Sequence, residues 1–198
     1  GVLVVALVSA LLAPVVRRVG RARAVAWGIV IGYTLFIYAT LGAMPRIWGT
    51  LLRYTNGRID YGGGIAVAIG AVVVVGLLIR RQAGWQTCLL LVPLCFSYIY
   101  LLLVLNTSPA ERFHLAEYGL LSLALYYALR IDRGVAAACL IGWGLATAAG
   151  AVDEMIQWVL PNRVFEWKDI GLNALSSGLG VATVAVVLRA GSTDDCAA

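Results

Sequence analysis

The residues able to do chemistry gather in two short stretches. In the first, Glu111-Arg-Phe-His-Leu-Ala-Glu-Tyr118, the residues Glu111, His114 and Tyr118 recur at intervals of three and four, and Glu117 stands beside Tyr118. A helix over this stretch turns all four toward one side. An imidazole titrates near neutral pH, so His114 is suited either to carry a proton or to serve as a hydrogen-bonded residue at an interface. Glu117, deeper along the helix, reads as the buried partner of His114 or of Arg112 rather than as a snorkelling side chain. In the second stretch, Asp153, Glu154 and Gln157 close an apolar run, Pro161-Asn-Arg163 makes a turn, and Asp169 and Asn173 open the next run. Asp153 and Gln157 share a helical face, as do Asp169 and Asn173.

Several chemistries are open to this set. His114 with Glu117, Asp153 or Glu154 supplies acid and base. Asp153 with Glu154 is a candidate acid/base pair or cation site, although adjacent helical residues point about 100° apart. Arg163, with Arg112, can hold a phosphate or carboxylate through a guanidinium fork, or pair with the acids and pin the turn. Asp169 reads as a helix N-cap or a catalytic acid, and Asn173 as a contact between helices. The single histidine excludes a multi-histidine metal centre within the chain, so no metal is expected, and the sequence leaves any cofactor open. No Gly-x-Ser-x-Gly elbow, phosphate-binding glycine loop or His-Glu-x-x-His motif fixes a reaction class.

The elements that position these groups belong in a lipid bilayer. Hydrophobic residues make up 62% of the chain and charged ones 13%, half of the roughly 25% usual in soluble domains. Apolar runs occupy residues 2–16, 24–44, 65–79, 87–105, 113–129, 135–152 and 170–188. A hydrocarbon core of about 30 Å needs roughly 17 to 25 residues per helix, which predicts an all-α, polytopic transmembrane bundle of about seven spans. The first run has no basic segment before it and no clear cleavage site after it, and is read as a helix rather than a signal peptide. Ser108-Pro-Ala-Glu111 has the form of a capping box, with proline at the first helical position, so a helix is predicted to start there. Cys88, Cys95, Cys139 and Cys196 lack both zinc-site spacing and disulfide density and read as small hydrophobes.

Charge sets an expected orientation. Arg17, Arg18, Arg21, Arg23, Arg80, Arg81, Arg130, Arg133 and Arg189 follow alternate runs with little acidic counterweight. The opposite connections balance Arg46, Arg53, Arg58, Arg112, Arg163 and Lys168 with Asp60, Glu111, Asp153, Glu154, Glu166 and Asp169. Basic residues are retained on the cytoplasmic side, which places the N-terminus outside, the C-terminus in the cytoplasm and the two polar stretches outside. Trp48, Trp158 and Trp167 near the outer ends and Trp85 near an inner end suit interfacial anchoring. The net charge of +5 thus concerns membrane orientation, and nucleic acid is not an expected partner.

Together the two stretches resemble the VanZ-like family, in which a Glu-Arg-x-His-x-x-Glu-Tyr-Gly-x-Leu segment precedes an Asp-Glu-x-x-Gln, Pro-x-Arg, Asp-x-x-x-Asn, Gly-x-Gly series. The matching residues here are Glu111, Arg112, His114, Glu117, Tyr118, Gly119 and Leu121, then Asp153, Glu154, Gln157, Pro161, Arg163, Asp169, Asn173, Gly178 and Gly180. The match covers residues 109–180, and Glu111 stands where many relatives carry lysine. The resemblance implies a membrane protein of the cell envelope, associated with resistance to the glycopeptide teicoplanin, and names no reaction.

The chain accordingly divides into N-terminal transmembrane helices over 1–108, a motif-bearing part over 109–188 and a short polar tail over 189–198. Its expected place is the bacterial plasma membrane. The leading expectation is an outward-facing polar site for an envelope ligand such as an anionic lipid headgroup, with Glu111, Arg112, Tyr118, Gln157, Arg163, Asp169 and Asn173 as binding residues. The alternatives are a membrane enzyme acting on an envelope lipid and a non-catalytic accessory subunit docked among other membrane subunits. The groups named for acid/base work are His114, Glu117, Asp153 and Glu154.

Overall fold

A computed structural model describes residues 2–56, 62–80, 84–105, 109–161 and 163–189, with the side chains of 2–17, 62–64, 66–67, 103, 105, 109–112 and 189 outside the description. The described elements are helices: α1 (Val2–Thr40), α2 (Met44–Tyr54), α3 (Gly62–Arg80), α4 (Trp85–Tyr100) with a π-turn at Leu101–Leu105, α5 (Pro109–Arg130), α6 (Val135–Val159) and α7 (Trp167–Arg189). The helix start at Pro109 agrees with the capping signal, while Ser108 itself, the tail 190–198 and Asn162 lie outside the described residues.

Among the described residues, three helices are long and apolar enough to cross a membrane: Arg18–Thr40, Val135–Val159 and Trp167–Leu188. The expected count of seven is therefore corrected, for identifiable reasons. The first two apolar runs belong to one continuous helix of 39 residues, because nothing between Arg17 and Arg23 interrupts the backbone hydrogen bonding. The assignment of the N-terminus to the outside rested on a reversal there, and α1 has none. Trp85–Tyr100 is an apolar helix of 16 residues, shorter than a full span. The fifth run lies in a helix of 22 residues, about 33 Å long, whose motif charges set it apart from a plain apolar span. Met44–Tyr54, expected as part of a connection, is instead an amphipathic helix with no buried residue, the form taken by helices lying in a membrane interface.

The bundle is organised around α5, α6 and α7, which pack on one another, with α1 against α5 and α4 against α7. On α6 the buried residues Ala138, Gly142, Ala146 and Gly150 recur every four positions, a stripe of small side chains that lets helix backbones approach. At Gly142 an added methyl would stand 3.4 Å from the Tyr126 backbone nitrogen of α5. Tyr118, Leu121, Leu125 and Ala128 of α5 fill the centre with Val30 of α1 and Ala146 of α6. Leu101, Leu115 and Leu172 join the end of α4 to α5 and α7, and Tyr126, Leu129 and Ala138 close the opposite end with Val184 and Leu188 alongside.

The two ends of this core separate the charges as the alternation of basic segments anticipates. At one end the Arg23 guanidinium donates to Asp132, joining α1 to the α5–α6 connection. Arg130 lies there too, and Leu78 near the end of α3 packs on Val187 near the end of α7, which puts Arg80 on the same side. The other end carries the starts of α5 and α7 and the end of α6, where Trp158 and Trp167 are exposed and Phe165 stacks edge-on against Trp167 at 4.9 Å.

Candidate functional site

The small-residue stripe of α6 does not end at Gly150. Continued along the helix, the same buried side delivers Asp153, Glu154 and Gln157, both carboxylates at 0% exposure. Close packing that serves the apolar half of the bundle thereby carries two acids inward near the helix end. His114 reaches them from α5: its Nδ1 stands 3.7 Å from Asp153 Oδ2 and 3.7 Å from Glu117 Oε2. The Tyr118 ring stacks on the imidazole with centroids 6.0 Å apart, and its hydroxyl faces Asp153.

A second set of contacts holds these groups in place. Gln157 Nε2 donates to Glu154 Oε1 at 2.7 Å and reaches Asp153 Oδ2 at 3.5 Å. The backbone N–H of Glu166 donates to Glu154 Oε2 at 3.1 Å, so the segment between α6 and α7 fixes the other oxygen of that carboxylate. Ser177 of α7 bonds the carbonyl of Tyr118 and that of Asn173. One turn back along these parallel helices, the same register puts Asn173 level with His114. Asn173 is fully buried and lies on Gly150, where an added methyl would meet its Cβ at 2.7 Å. Neither its Oδ1 nor its Nδ2 has a hydrogen-bond partner among the described residues, and Asp153 Oδ1 lacks one as well.

Arg163 supplies positive charge. Half-buried in the turn, it acts electrostatically on Glu117, Asp153 and Glu154, yet makes no direct ion pair among the described residues. The reading in which it pins the turn by a salt bridge is therefore not what the geometry shows. Asp169 acts on Asp153 and Glu154 from α7. It occupies the third residue of that helix, inside the first turn, rather than the N-cap position expected, and there it complements the helix dipole.

Of the residues picked out by spacing, the structure thus brings together His114, Glu117, Tyr118, Asp153, Glu154 and Gln157, with Arg163, Asp169 and Asn173 around them. The side chains of Glu111 and Arg112 lie outside the description. Three contributors went unnoticed in the sequence. Tyr33 and Tyr38 of α1 donate to the carbonyls of Glu117 and Ala149, at 3.4 and 2.9 Å, bracing the α5 and α6 backbones beside the cluster. Gly150 provides the space that Asn173 fills. The four-residue spacing of small residues on α6 was the available signal for Gly150; nothing local marks the two tyrosines.

No known family, no characterised protein and no solved structure matches the chain. The site is therefore interpreted from its own chemistry. It combines an imidazole between two carboxylates with a guanidinium held near them but not consumed by them. Such a set can move a proton, hold a cation or orient a polar headgroup. Two grooves elsewhere, one along α1 at Arg21–Ile29 and one between α3 and α4 near Leu78 and Leu91, are lined mainly by apolar side chains and include no member of the cluster.

Proposed function

We propose that the chain is a VanZ-like protein of the bacterial plasma membrane, whose polar cluster serves an envelope ligand from the extracytoplasmic side. In this reading α3, α4 and α5 cross the bilayer beside α1, α6 and α7. The ends bearing Arg80, Arg130 and Arg189 face the cytoplasm, and the cluster faces outward. The observation that carries the reading is the position of Arg163, whose guanidinium stands near three carboxylates without a direct ion pair among the described residues. A guanidinium at a membrane end is suited to a phosphate or carboxylate on a lipid headgroup. The carboxylates and His114 beneath it suit the hydroxyl or amine groups of the same ligand.

Ligand binding is favoured over catalysis because no oriented nucleophile accompanies the acids and the imidazole among the described residues. The test is substitution in cells. Arg163→Ala and His114→Ala, at unchanged membrane abundance, are expected to alter glycopeptide sensitivity. If both leave every envelope assay untouched while the purified chain stays bound in a stoichiometric membrane complex, an accessory-subunit role replaces this one.

A further inference from the structure

We infer that His114, Asp153 and Glu154, with Glu117 beside them, form a binding site for one divalent cation of the Mn²⁺ or Zn²⁺ type. One ligand atom from each of His114, Asp153 and Glu154 can be chosen so that all three lie within 4.8 Å of one another, and all three residues are buried. Ligands on a shell of about 2.1 Å radius stand about 3 to 4.2 Å apart, the range in which the two 3.7 Å separations from His114 Nδ1 fall. Those separations exceed hydrogen-bond length. They suit groups arranged around a common centre, onto which the widest pair of the three-residue set, within 4.8 Å, closes by side-chain rotation.

The charge balance points the same way. With a neutral imidazole, Glu117, Asp153, Glu154 and Asp169 against Arg163 leave a formal charge of minus three, most of which one divalent cation offsets. Burying carboxylates without compensation is costly in a low-dielectric setting. A separate observation comes from α7. Asn173, fully buried and level with His114, presents an amide with no hydrogen-bond partner among the described residues. Buried polar groups are ordinarily satisfied, so this amide calls for a further polar group in the cluster.

The outer contacts are those a metal site uses. Gln157 and the Glu166 N–H orient the two oxygens of Glu154, leaving its remaining lone pairs for a cation. The choice of metal follows from the ligands. Carboxylates alone would suit Mg²⁺ or Ca²⁺, whereas an imidazole among them shifts preference to Mn²⁺ and Zn²⁺. Spacing in sequence concealed the site because Asp153 and Glu154 are neighbours on one helix. Gln157 nonetheless reaches both carboxylates, and α5 adds the nitrogen.

The inference deepens the reading of the same polar cluster, with the cation taking the carboxylates and His114 and leaving Arg163 to an envelope ligand. The two fail separately, since cation binding is measured on the purified full-length chain in detergent. After chelator treatment, Mn²⁺ is titrated and followed by electron paramagnetic resonance, with Zn²⁺ as competitor. One saturable Mn²⁺ per chain, displaced by Zn²⁺, is the expected result. Asp153→Asn and Glu154→Gln should each weaken binding by at least about 10-fold, while Asp132→Asn at the opposite end leaves it unchanged. Pulsed measurements on the wild-type chain should show coupling to one imidazole nitrogen, lost in His114→Gln. Absence of saturable binding, or binding that both carboxylate variants leave intact, overturns the site. So does bound Mn²⁺ without nitrogen coupling in the wild type, a result that holds even where a variant fails to fold.

Discussion

Gly180 of α7 lies against the backbone of Gly119 of α5, so close that a methyl group added at 180 would stand 2.8 Å from the Gly119 carbonyl oxygen and overlap Ser122 Oγ. A backbone carbonyl cannot swing aside as a flexible side chain can. Gly180→Ala is therefore expected to destabilise the folded bundle by about 1 to 3 kcal/mol, the usual cost of overpacking, and Gly180→Leu by more. Gly144, with nothing within 4 Å of an added methyl, supplies the comparison, and Gly144→Ala should be neutral or slightly stabilising. Unfolding of the purified chain in detergent with increasing denaturant measures both. Equal midpoints for Gly180→Ala and the wild type would remove this contact from the account of the fold.

Gln157 is placed to hold two buried carboxylates, donating to Glu154 at 2.7 Å and reaching Asp153 at 3.5 Å. Gln157→Leu leaves a buried acceptor without its donor and is expected to cost about 1 to 3 kcal/mol. Removing both partners in Gln157→Leu/Glu154→Leu should cost less than the sum of the two single changes, because no stranded carboxylate remains. A double-mutant cycle on the same unfolding assay reads the coupling. Strict additivity would mean that the pair does not interact as drawn.

The helical class and the bilayer setting were legible because they rest on composition and on the length of apolar runs, which local sequence carries directly. The cluster was legible too, in that His114, Glu117, Asp153 and Glu154 stood at a common helix end by simple counting. The number of crossings was not. A stretch of arginines looks like a connection, yet arginine is a good helix former and α1 runs through Arg17 to Arg23 without a break. The amphipathic α2 falls in a stretch that the apolar runs leave to a connection, because its apolar residues alternate with polar ones. The convergence of Asp153 with Glu154 depended on Gln157, which reaches both, and on a histidine from another helix. Helical angles alone argued against it.

Arg23 and Asp132 form an ion pair between α1 and the α5–α6 connection, with side chains 49% and 44% exposed. Solvent screens such a pair, so its contribution to stability is small. Asp132→Asn is accordingly expected to shift the unfolding midpoint little, and less still at high salt. A large shift that salt does not diminish would show that this end of the bundle is shielded from water.

The final prediction concerns sidedness. Arg80 and Arg130 belong to helix ends that pack with the end of α7, where Leu78 meets Val187 and Leu129 lies with Val184 and Leu188. The end of α4, the start of α5, the end of α6 and the start of α7 lie at the opposite end, where Leu101, Leu115 and Leu172 meet. The geometry thus fixes which helix ends travel together, and the excess of basic residues beside Arg80 and Arg130 assigns that set to the cytoplasm. With the native cysteines replaced, single cysteines at 106 and 162 should react with a membrane-impermeant thiol reagent added to intact cells. Cysteines at 80 and 130 should react only after the membrane is opened. Labelling of 106 and 162 from the cytoplasm alone would keep the bundle and reverse its orientation. Labelling of 106 and 80 from the same side would contradict the packing of α3 against α7 itself.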